Sequence, residues 1–257
     1  MKNTYKIKLV TIVMPTYDEA ENIVDLIKAI DRQVKQKKQF IVVDDNSPDG
    51  TAKKVQQFIK KSKKKNIKVE IRYKNPGLTN SIKRGIELAK GDVVVWLDCD
   101  FSMPPPLIPK LLSKIEQGYD IAVGSRFIKG GGFILEDSKG RRDSLIQIYL
   151  SRIMNYSIQL ILGRSFRDYT SGFIAIRKDV FKKVSFRGDY GEYFIELIYK
   201  AKAYNYKIKE IPHINPPRER GTSKTGQNLW QYLKRGRKYV FLTLELFAER
   251  HIFRKFP

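Results

Sequence analysis

The sequence predicts an α/β domain with a mostly parallel sheet and flanking helices. Three apolar runs, residues 9–14, 40–43 and 93–97, each lead into a polar loop. Helix-like segments follow the first two loops, and a repeated order of strand, loop and helix is typical of a parallel sheet. Ligands of such sheets bind outside the carboxyl ends of the strands, so we expect the three loops to meet at one edge.

The first two units carry the clearest local signals. The first polar loop comprises residues 15–22. Apolar side chains then recur at helical spacing, at Ile23, Leu26, Ile27 and Ile30. The second loop, residues 44–51, is rich in turn-forming residues and leads into a helical segment at residues 52–59. Each unit therefore predicts a strand, a polar loop at its carboxyl end and a returning helix.

The third apolar run ends in two carboxylates. Its three consecutive valines, residues 93–95, are typical of a buried strand, which places Asp98 and Asp100 where the strand emerges at the sheet edge. Because successive side chains of a strand alternate between faces, we expect both carboxylates on one side and Cys99 buried on the other. Two like charges this close favour a cation between them, and oxygen ligands suit Mg²⁺ or Mn²⁺. The alternative is a polar strand end that continues as an ordinary loop.

The later part of the chain is predicted to complete the same sheet. We expect a helix, a strand, a loop able to close over a bound molecule and a helical tail at residues 190–199, 207–211, 212–224 and 226–257. The sequence contains no convincing internal repeat. Residues 1–225 therefore predict one domain, with residues 1–125 and 126–225 as its two halves.

Composition restricts the compartment. A chain of 257 residues with 42% hydrophobic residues is able to bury one substantial core. The single cysteine excludes an internal disulfide and fits a reducing compartment. No segment approaches the about 18 consecutive apolar residues of a membrane-spanning helix. The N-terminus also lacks the apolar core of a signal peptide. We therefore expect a cytoplasmic protein that is soluble or peripheral on the cytosolic face of a membrane.

The formal net charge of +23 points to an anionic partner. Residues 229–247 combine aromatic and basic side chains, which suits an interfacial helix on an anionic membrane surface. The alternative is a helix that packs its apolar face on the domain, and both are compatible. We expect no specific nucleic acid partner, because the sequence has no helix-turn-helix or zinc spacing and the acidic loops would repel phosphate in the absence of a metal.

A set of short motifs occurs in a fixed order. The motifs are residues 15–22, 42–51, 77–78, 98–100, 124–126, 168–173 and 218–224. Together they resemble the inverting glycosyltransferases of the GT-A fold, and among these the dolichol-phosphate mannose synthases and related polyprenyl-phosphate glycosyltransferases. The resemblance spans roughly residues 9–225. It implies a GT-A (Rossmann-like) sheet in which residues 1–125 bind a nucleotide sugar and residues 126–225 bind the acceptor.

The resemblance also implies a donor site. The residues assigned to the nucleoside are Pro15, Tyr17, Glu19 and Asp45. Asp98 and Asp100 are the implied ligands of Mg²⁺ or Mn²⁺, which bridges to the diphosphate, and Ser102 is a weaker third ligand. The chain departs from the family after this pair, because it has Met103 and three prolines where relatives have a His-Pro-Pro-like segment. This departure leaves the third ligand open.

The resemblance assigns the acceptor site to basic residues. Arg126, Arg218 and Lys224 are implied to hold a lipid phosphate, since a guanidinium binds phosphate bidentately and a lysine supplies a point charge. These three cations, with Asp98 and Asp100, are the implied catalytic residues. Asp168 and Ser223 lie in the same motifs and are also assigned to the acceptor. With a sugar hydroxyl as acceptor, Asp168 would be the candidate catalytic base.

The implied reaction is metal-dependent transfer of a hexose with inversion. Mannose from GDP-mannose is the favoured donor, and dolichyl or polyprenyl monophosphate is the acceptor. UDP-glucose or a UDP-N-acetylhexosamine stays open as the donor, because one carboxylate contact to a base suits uracil or guanine. Transfer to a glycan hydroxyl is the more distant alternative. The anionic membrane surface and an integral-membrane subunit complete the partners that the resemblance allows.

Overall fold

A computed structural model of the chain describes residues 4–138, 140, 144–220 and 229–257, and for residues 229–235 the backbone alone. Seven strands form the main sheet: β1 (Val10–Thr16), β2 (Lys38–Asp44), β3 (Ile67–Ile71), β4 (Val93–Trp96), β5 (Ile121–Ser125), β7 (Ile174–Arg177) and β8 (Ile208–Pro212). Two short strands, β6 (Gly132–Phe133) and β9 (Ile214–Asn215), pair separately. The helices are α1 (Ile23–Gln33), α2 (Thr51–Ser62), α3 (Leu78–Leu88), α4 (Ile108–Glu116), α5 (Leu145–Leu162), α6 (Tyr193–Ala203) and α7 (Leu229–His251).

The strand order in the main sheet is β3-β2-β1-β4-β7-β5-β8. The pairings of β1 with β2, β1 with β4, β2 with β3 and β5 with β8 are parallel, whereas β7 runs antiparallel to both β4 and β5. The chain moves from β1 towards one edge and later returns to place β4 on the other side of β1. A crevice forms at the carboxyl ends of strands where the order reverses in this way.

Both faces of the sheet are buried. Val94 and Trp96 of β4 pack in one apolar cluster with residues of α6 and α7, whereas Val93 and Val95 pack in a second cluster with residues of α1 and α4. This explains why the strand reads as an uninterrupted apolar run, since side chains on both of its faces are in a core. The predicted α/β class and mostly parallel sheet are therefore confirmed.

One expectation about local structure is wrong, and one helix was missed. The strand β4 ends at Trp96, so Asp98 and Asp100 lie in the turn that follows and strand alternation does not place them. Cys99 is nevertheless buried as expected, with its thiol 3.4 Å from the carbonyl oxygen of Pro15. The helix α5 was not predicted, because the apolar and polar residues of this 18-residue helix do not follow a simple amphipathic pattern.

The predicted tail is mainly the helix α7. It packs against α5 and α6, and its Leu242 and Leu246 side chains are buried in the first of the two clusters. Val240, Phe241, Leu244 and Phe247 of the same helix are exposed. Among the helices that the structure describes, none combines the length and the apolar character needed to cross a bilayer.

Candidate active site

The first two loops are joined into one unit by hydrogen bonds to the backbone. The backbone N–H of Asp18 donates to Ser47 Oγ at 3.0 Å, and that of Glu19 donates to Thr51 Oγ1 at 2.9 Å. The N–H of Ala20 donates to Asp49 Oδ2 at 2.9 Å. The loops at the carboxyl ends of β1 and β2 therefore hold each other in place, as expected for loops that meet at one sheet edge.

The two adjacent aspartates of the second loop have different surroundings. Asp44 is buried and accepts hydrogen bonds from Thr16 Oγ1 at 3.1 Å and from the Ser47 backbone N–H and hydroxyl at 2.9 and 2.6 Å. It caps the turn that follows, which is a common use of aspartate in loops. Asp45 points instead towards the start of α3.

The Asp45 carboxylate is held by groups from three segments. It accepts from Arg72 Nη1 at 2.8 Å, Ser81 Oγ at 2.7 Å and the Gly77 backbone N–H at 2.7 Å. Gly77 has φ +138°, a value that residues with a side chain rarely adopt. Sequence reasoning missed Arg72 and Ser81, although Arg72 directly follows β3 and thus lies at the functional edge.

The remaining residues assigned to the nucleoside lie on the first loop. Pro15 is buried within β1, while Tyr17 follows the strand and is 47% exposed. Glu19 is buried, and its carboxylate accepts from Asn22 Nδ2 at 3.0 Å and from Arg218. Their roles towards a nucleoside stay predictions, and Pro15 and Glu19 lie beside the turn after β4.

Asp98 and Asp100 differ in their protein contacts. Asp100 Oδ1 accepts from the Ser102 hydroxyl at 2.6 Å and from its backbone N–H at 3.0 Å, and Asp100 Oδ2 accepts from Arg218 at 3.1 Å. The Asp98 side chain is exposed in the crevice, and among the described residues no group donates a hydrogen bond to its carboxylate. Ser102 thus orients Asp100, and its role as a third metal ligand stays a prediction.

The surroundings of Asp98 disfavour its charged form. Desolvation by the surrounding protein atoms, together with the negative charges of Asp100 and Glu19, raises the pKa of Asp98 to about 7. The positive charges of Arg218 and Arg126 act in the opposite direction. An exposed carboxylate without a donor beside a second carboxylate fits a divalent cation. Within the described part of the chain, no group of three or more acidic, histidine or cysteine side chains is arranged to hold a metal. This donor set fits an ion that takes its other ligands from phosphate and water, as Mg²⁺ commonly does.

The segment that carries Arg218 closes against the same loops. Arg218 donates to both Glu19 and Asp100, and the Glu219 backbone N–H donates to the Asp100 carbonyl oxygen at 2.9 Å. Burial alone would lower the pKa of Arg218, but Asp100 and Glu19 raise it, so the guanidinium is held cationic. The predicted acceptor residue Arg218 therefore lies between two carboxylates of the donor side. Ser223 and Lys224 lie outside the described residues.

Arg126 and Asp168 form a buried pair across the sheet edge. The Asp168 carboxylate is fully buried and accepts from the Arg126 backbone N–H at 2.8 Å, from its Nε at 2.9 Å and from its Nη2 at 2.8 Å. The Thr170 carbonyl oxygen also accepts a hydrogen bond from Nη2, at 2.8 Å. Among the described residues no acceptor meets Nη1 of Arg126. Although burial alone would lower the pKa of Arg126, Asp168 raises it and keeps the guanidinium charged.

Sequence reasoning also missed a histidine next to this pair. His213 follows β8, is 5% exposed, and its ring lies edge-on to Phe173 at a centroid distance of 5.8 Å. Its Nδ1 is buried and has no hydrogen-bond partner in the described part of the chain. Burial, and to a smaller extent the positive charge of Arg126, lowers the pKa of His213 from 6.5 to about 4. The imidazole is therefore neutral near pH 7.

This shift predicts a stability change with pH. His213 takes up a proton in the unfolded state near pH 6.5 but in the folded state only near pH 4, so the free energy of unfolding should fall as the pH falls through that window. The full loss is about 3 kcal/mol. We expect His213→Leu to remove this part of the acid sensitivity. Urea unfolding of both proteins at about pH 7 and about pH 4.5 measures it, and parallel pH profiles would contradict it.

Comparison with known proteins identifies the family of the chain. The family model described as Glycosyl transferase family 2 matches residues 11–185. A dolichol-phosphate mannosyltransferase from Pyrococcus furiosus is 37% identical over 88% of this chain and 62% of its own length. An undecaprenyl-phosphate 4-deoxy-4-formamido-L-arabinose transferase from Edwardsiella ictaluri is 31% identical over 88% of this chain and 66% of its own length. The chain thus spans slightly less than two thirds of these relatives.

A solved structure supports the fold. Glucosyl-3-phosphoglycerate synthase from Mycobacterium tuberculosis, solved with Mn²⁺, UDP and glucosyl-3-phosphoglycerate, superposes with a TM-score of 0.68 at 18% identity, covering 94% of this chain and 80% of that chain. At this identity the likeness concerns the fold alone, which is the predicted GT-A arrangement. The family model covers most of the chain and the first relative exceeds a third in identity, and on these grounds the chain belongs to glycosyltransferase family 2.

Proposed function

We propose that this glycosyltransferase moves a hexose from a nucleotide sugar onto a polyprenyl monophosphate with inversion. The observation that carries the proposal is the meeting of two opposite features at one sheet edge. The exposed Asp98 carboxylate lacks a hydrogen-bond donor among the described residues. The buried Arg126 guanidinium lies close enough to Asp98 to act on the pKa of that carboxylate, in the lowering direction. The first feature suits a cation with a diphosphate, and the second suits an anionic acceptor.

On the donor side, the first two loops supply the nucleoside site. Tyr17 lies exposed on the first of these hydrogen-bonded loops. The hydrogen bonds from Arg72 and Ser81 fix the position of the Asp45 carboxylate. Asp98 and Asp100 would hold a Mg²⁺ or Mn²⁺ ion. The bound ion would supply Lewis-acid stabilisation of the charge on the departing nucleoside diphosphate. The Mn²⁺ and Mg²⁺ complexes of the mycobacterial synthase support this choice of ions.

On the acceptor side, the chemistry needs a cation rather than a base. The phosphate oxygen of a polyprenyl monophosphate is already anionic, so it attacks without giving up a proton to the enzyme. The Nη1 group of Arg126 would donate to such an oxygen, because its Nε and Nη2 groups already donate to Asp168 and Thr170. Asp168 is fully buried and bonded to Arg126, so it is poorly placed to act as a base for a hydroxyl acceptor.

We propose mannose from GDP-mannose as the donor, with the mannosyltransferase of Pyrococcus furiosus as its support. The arabinose-derivative transferase keeps a lipid phosphate but uses a different sugar. UDP-glucose and the UDP-N-acetylhexosamines are therefore the alternatives. The shared lipid phosphate of these relatives supports the acceptor more strongly than the sugar.

The test combines ligand binding with product analysis. A ligand that binds only the folded state raises the melting temperature. At a hundredfold excess over Kd, it adds about 2.7 kcal/mol to the free energy of unfolding. We expect GDP-mannose with Mn²⁺ to stabilise the protein more than UDP sugars, and incubation with farnesyl or phytanyl phosphate to give a glycosylated lipid. Stabilisation by UDP sugars alone would change the donor. Transfer to a free oligosaccharide with no lipid product would overturn the acceptor assignment.

We also propose peripheral binding to an anionic membrane, at the cytosolic face. Two helices that pack together, α5 and α7, carry exposed apolar side chains. These are Leu145, Ile146, Tyr149, Ile153, Tyr156 and Leu160 on α5 and Val240, Phe241, Leu244 and Phe247 on α7. Basic residues of the same helices, with the net charge of +23, favour anionic lipid. An integral-membrane subunit is the other partner that this surface would suit.

The membrane proposal predicts salt-sensitive cosedimentation with anionic vesicles. Attraction between exposed charges is screened within about 10 Å at 0.1 M salt, so bound protein should be released as salt rises. Phe241→Glu with Leu244→Glu should weaken binding several-fold, and these exposed positions leave the buried Leu242 and Leu246 in place. Tyr73→Glu, at a 75% exposed position outside both helices, is the control for an added carboxylate. Equal binding by all three proteins would place the contact elsewhere.

A further inference from the structure

The short loop of residues 167–169, at the start of the motif of residues 168–173, is bound by side chains from β8 and α5. The Glu210 carboxylate of β8 accepts the backbone N–H of Arg167 at 2.9 Å and that of Asp168 at 3.1 Å. From α5, Gln159 Nε2 donates to the Arg167 carbonyl oxygen at 2.9 Å, and Asn155 Nδ2 donates to the same oxygen. Asn155 Oδ1 also accepts the N–H of Tyr169 at 2.9 Å. Three side chains thus bind four backbone groups of residues 167–169.

The burial of these side chains indicates a specific task. Asn155 is 2% and Gln159 is 6% exposed, and both lie on the side of α5 that also buries Ile158 and Leu162 in the apolar cluster. An amide in such surroundings is unfavourable unless it is hydrogen-bonded. Both amides satisfy this need at the loop. Their positions in α5 therefore serve the loop rather than the helix.

The loop in turn sets the geometry of Arg126. Asp168 lies in its middle, with its backbone N–H on Glu210 and its carboxylate on the Nε and Nη2 groups of Arg126. Two contacts fix the plane of the guanidinium, because a carboxylate and a guanidinium match as a fork. The rings of Phe127 and Phe133 lie 5.3 Å from the guanidinium carbon and restrict it further. The direction of Nη1 follows from the position of the loop.

We propose that Asn155, Gln159 and Glu210 are positioning residues, a backbone clamp that sets the Asp168 and Arg126 pair for an anionic phosphate acceptor. The acceptor part of this inference rests on the proposed function. The clamp acts through the loop and does not touch the substrate. It links α5, which carries the exposed apolar side chains, to the site where the acceptor phosphate would bind.

The first arm of the test reads the geometry of Arg126 without any substrate. A guanidinium Nε–H that donates to a buried carboxylate exchanges slowly with water, and its NMR signal is identified by its loss in Arg126→Lys. Asn155→Leu removes two hydrogen bonds to the loop. We expect it to speed this exchange by at least about five- to tenfold, the factor that one lost hydrogen bond of ordinary strength corresponds to. Gln159→Met is the milder variant, since it removes one donor to the Arg167 oxygen and keeps both bonds between Asn155 and the loop. It covers the case in which Asn155→Leu fails to fold.

The second arm separates acceptor from donor. Both variants should raise the KM for farnesyl or polyprenyl phosphate by about the same factor, with the Kd of the nucleotide sugar unchanged. Val180→Ala is the matched control, because Val180 is buried in the same cluster but on another element. It should lower the melting temperature and leave the Arg126 signal and the ratio of KM to Kd unchanged.

The outcomes separate the two claims. Unchanged Arg126 exchange in both clamp variants, or an equal change in Val180→Ala, would overturn the clamp. Faster exchange with an unchanged acceptor KM would overturn its role in acceptor positioning. Absence of any lipid product with the wild-type protein would refute the proposed function instead, and the exchange measurement would still decide the clamp.

Discussion

Asp98→Asn and Asp100→Asn are each expected to lower sugar transfer by about a hundred- to a thousandfold, because the contribution of a metal to charge stabilisation is several kcal/mol. An amide is neutral and a poorer ligand for a hard cation than a carboxylate. Both variants should also lose the Mn²⁺-dependent rise in melting temperature with nucleotide sugar. Transfer assays and thermal shifts with and without EDTA measure these effects.

The two variants should differ in stability. Asp98 accepts no hydrogen bond from the described residues and lies near Asp100 and Glu19, so Asp98→Asn removes repulsion and should keep or raise the melting temperature. Asp100→Asn removes an anionic partner of Arg218 and an acceptor for the Ser102 hydroxyl, so this variant should have a lower melting temperature. Asp31→Asn, on the outer face of α1 with Lys38 and Lys64, is the control for charge alone. Wild-type turnover in excess EDTA would refute the metal requirement.

Local sequence signals were sufficient for the first two strand-loop-helix units. The apolar run of residues 40–43 and the turn residues after it determine a strand and a loop within one short window, and the structure has β2 and α2 there. Asp44 as a turn cap follows from the same local chemistry. Convergence of the loops also followed, because parallel strands bring their carboxyl ends to one edge.

The rest of the site depends on pairs that are distant in sequence. Arg126 and Asp168 are 42 residues apart, and their contact depends on β7 running antiparallel between β4 and β5. A strand of four residues gives no sequence signal for its direction. In the sequence, Asn155 is a polar residue within an apolar segment. Its partner, the backbone of residues 167–169, could not be identified without the packing of α5.

The largest expected loss of stability comes from Asp168→Asn. The carboxylate is fully buried and is the anionic partner of Arg126, whose side chain is only 14% exposed. Removing one partner of a buried ion pair typically costs about 3–5 kcal/mol, because the other charge stays buried without compensation. Urea unfolding near pH 7 measures this loss. Asp179→Asn, which removes a surface partner of Arg177, should cost about 1 kcal/mol or less.

The same variant distinguishes the two classes of acceptor. With a phosphate acceptor, Asp168 only orients Arg126 and the Thr170 turn, so Asp168→Asn should raise the acceptor KM while kcat stays within about tenfold of the wild-type value. With a hydroxyl acceptor, Asp168 would take the proton, because an amide cannot act as a base, and kcat should fall by about a hundredfold or more. A severe loss of kcat with an unchanged acceptor KM would therefore replace the phosphate mechanism by one with a catalytic carboxylate.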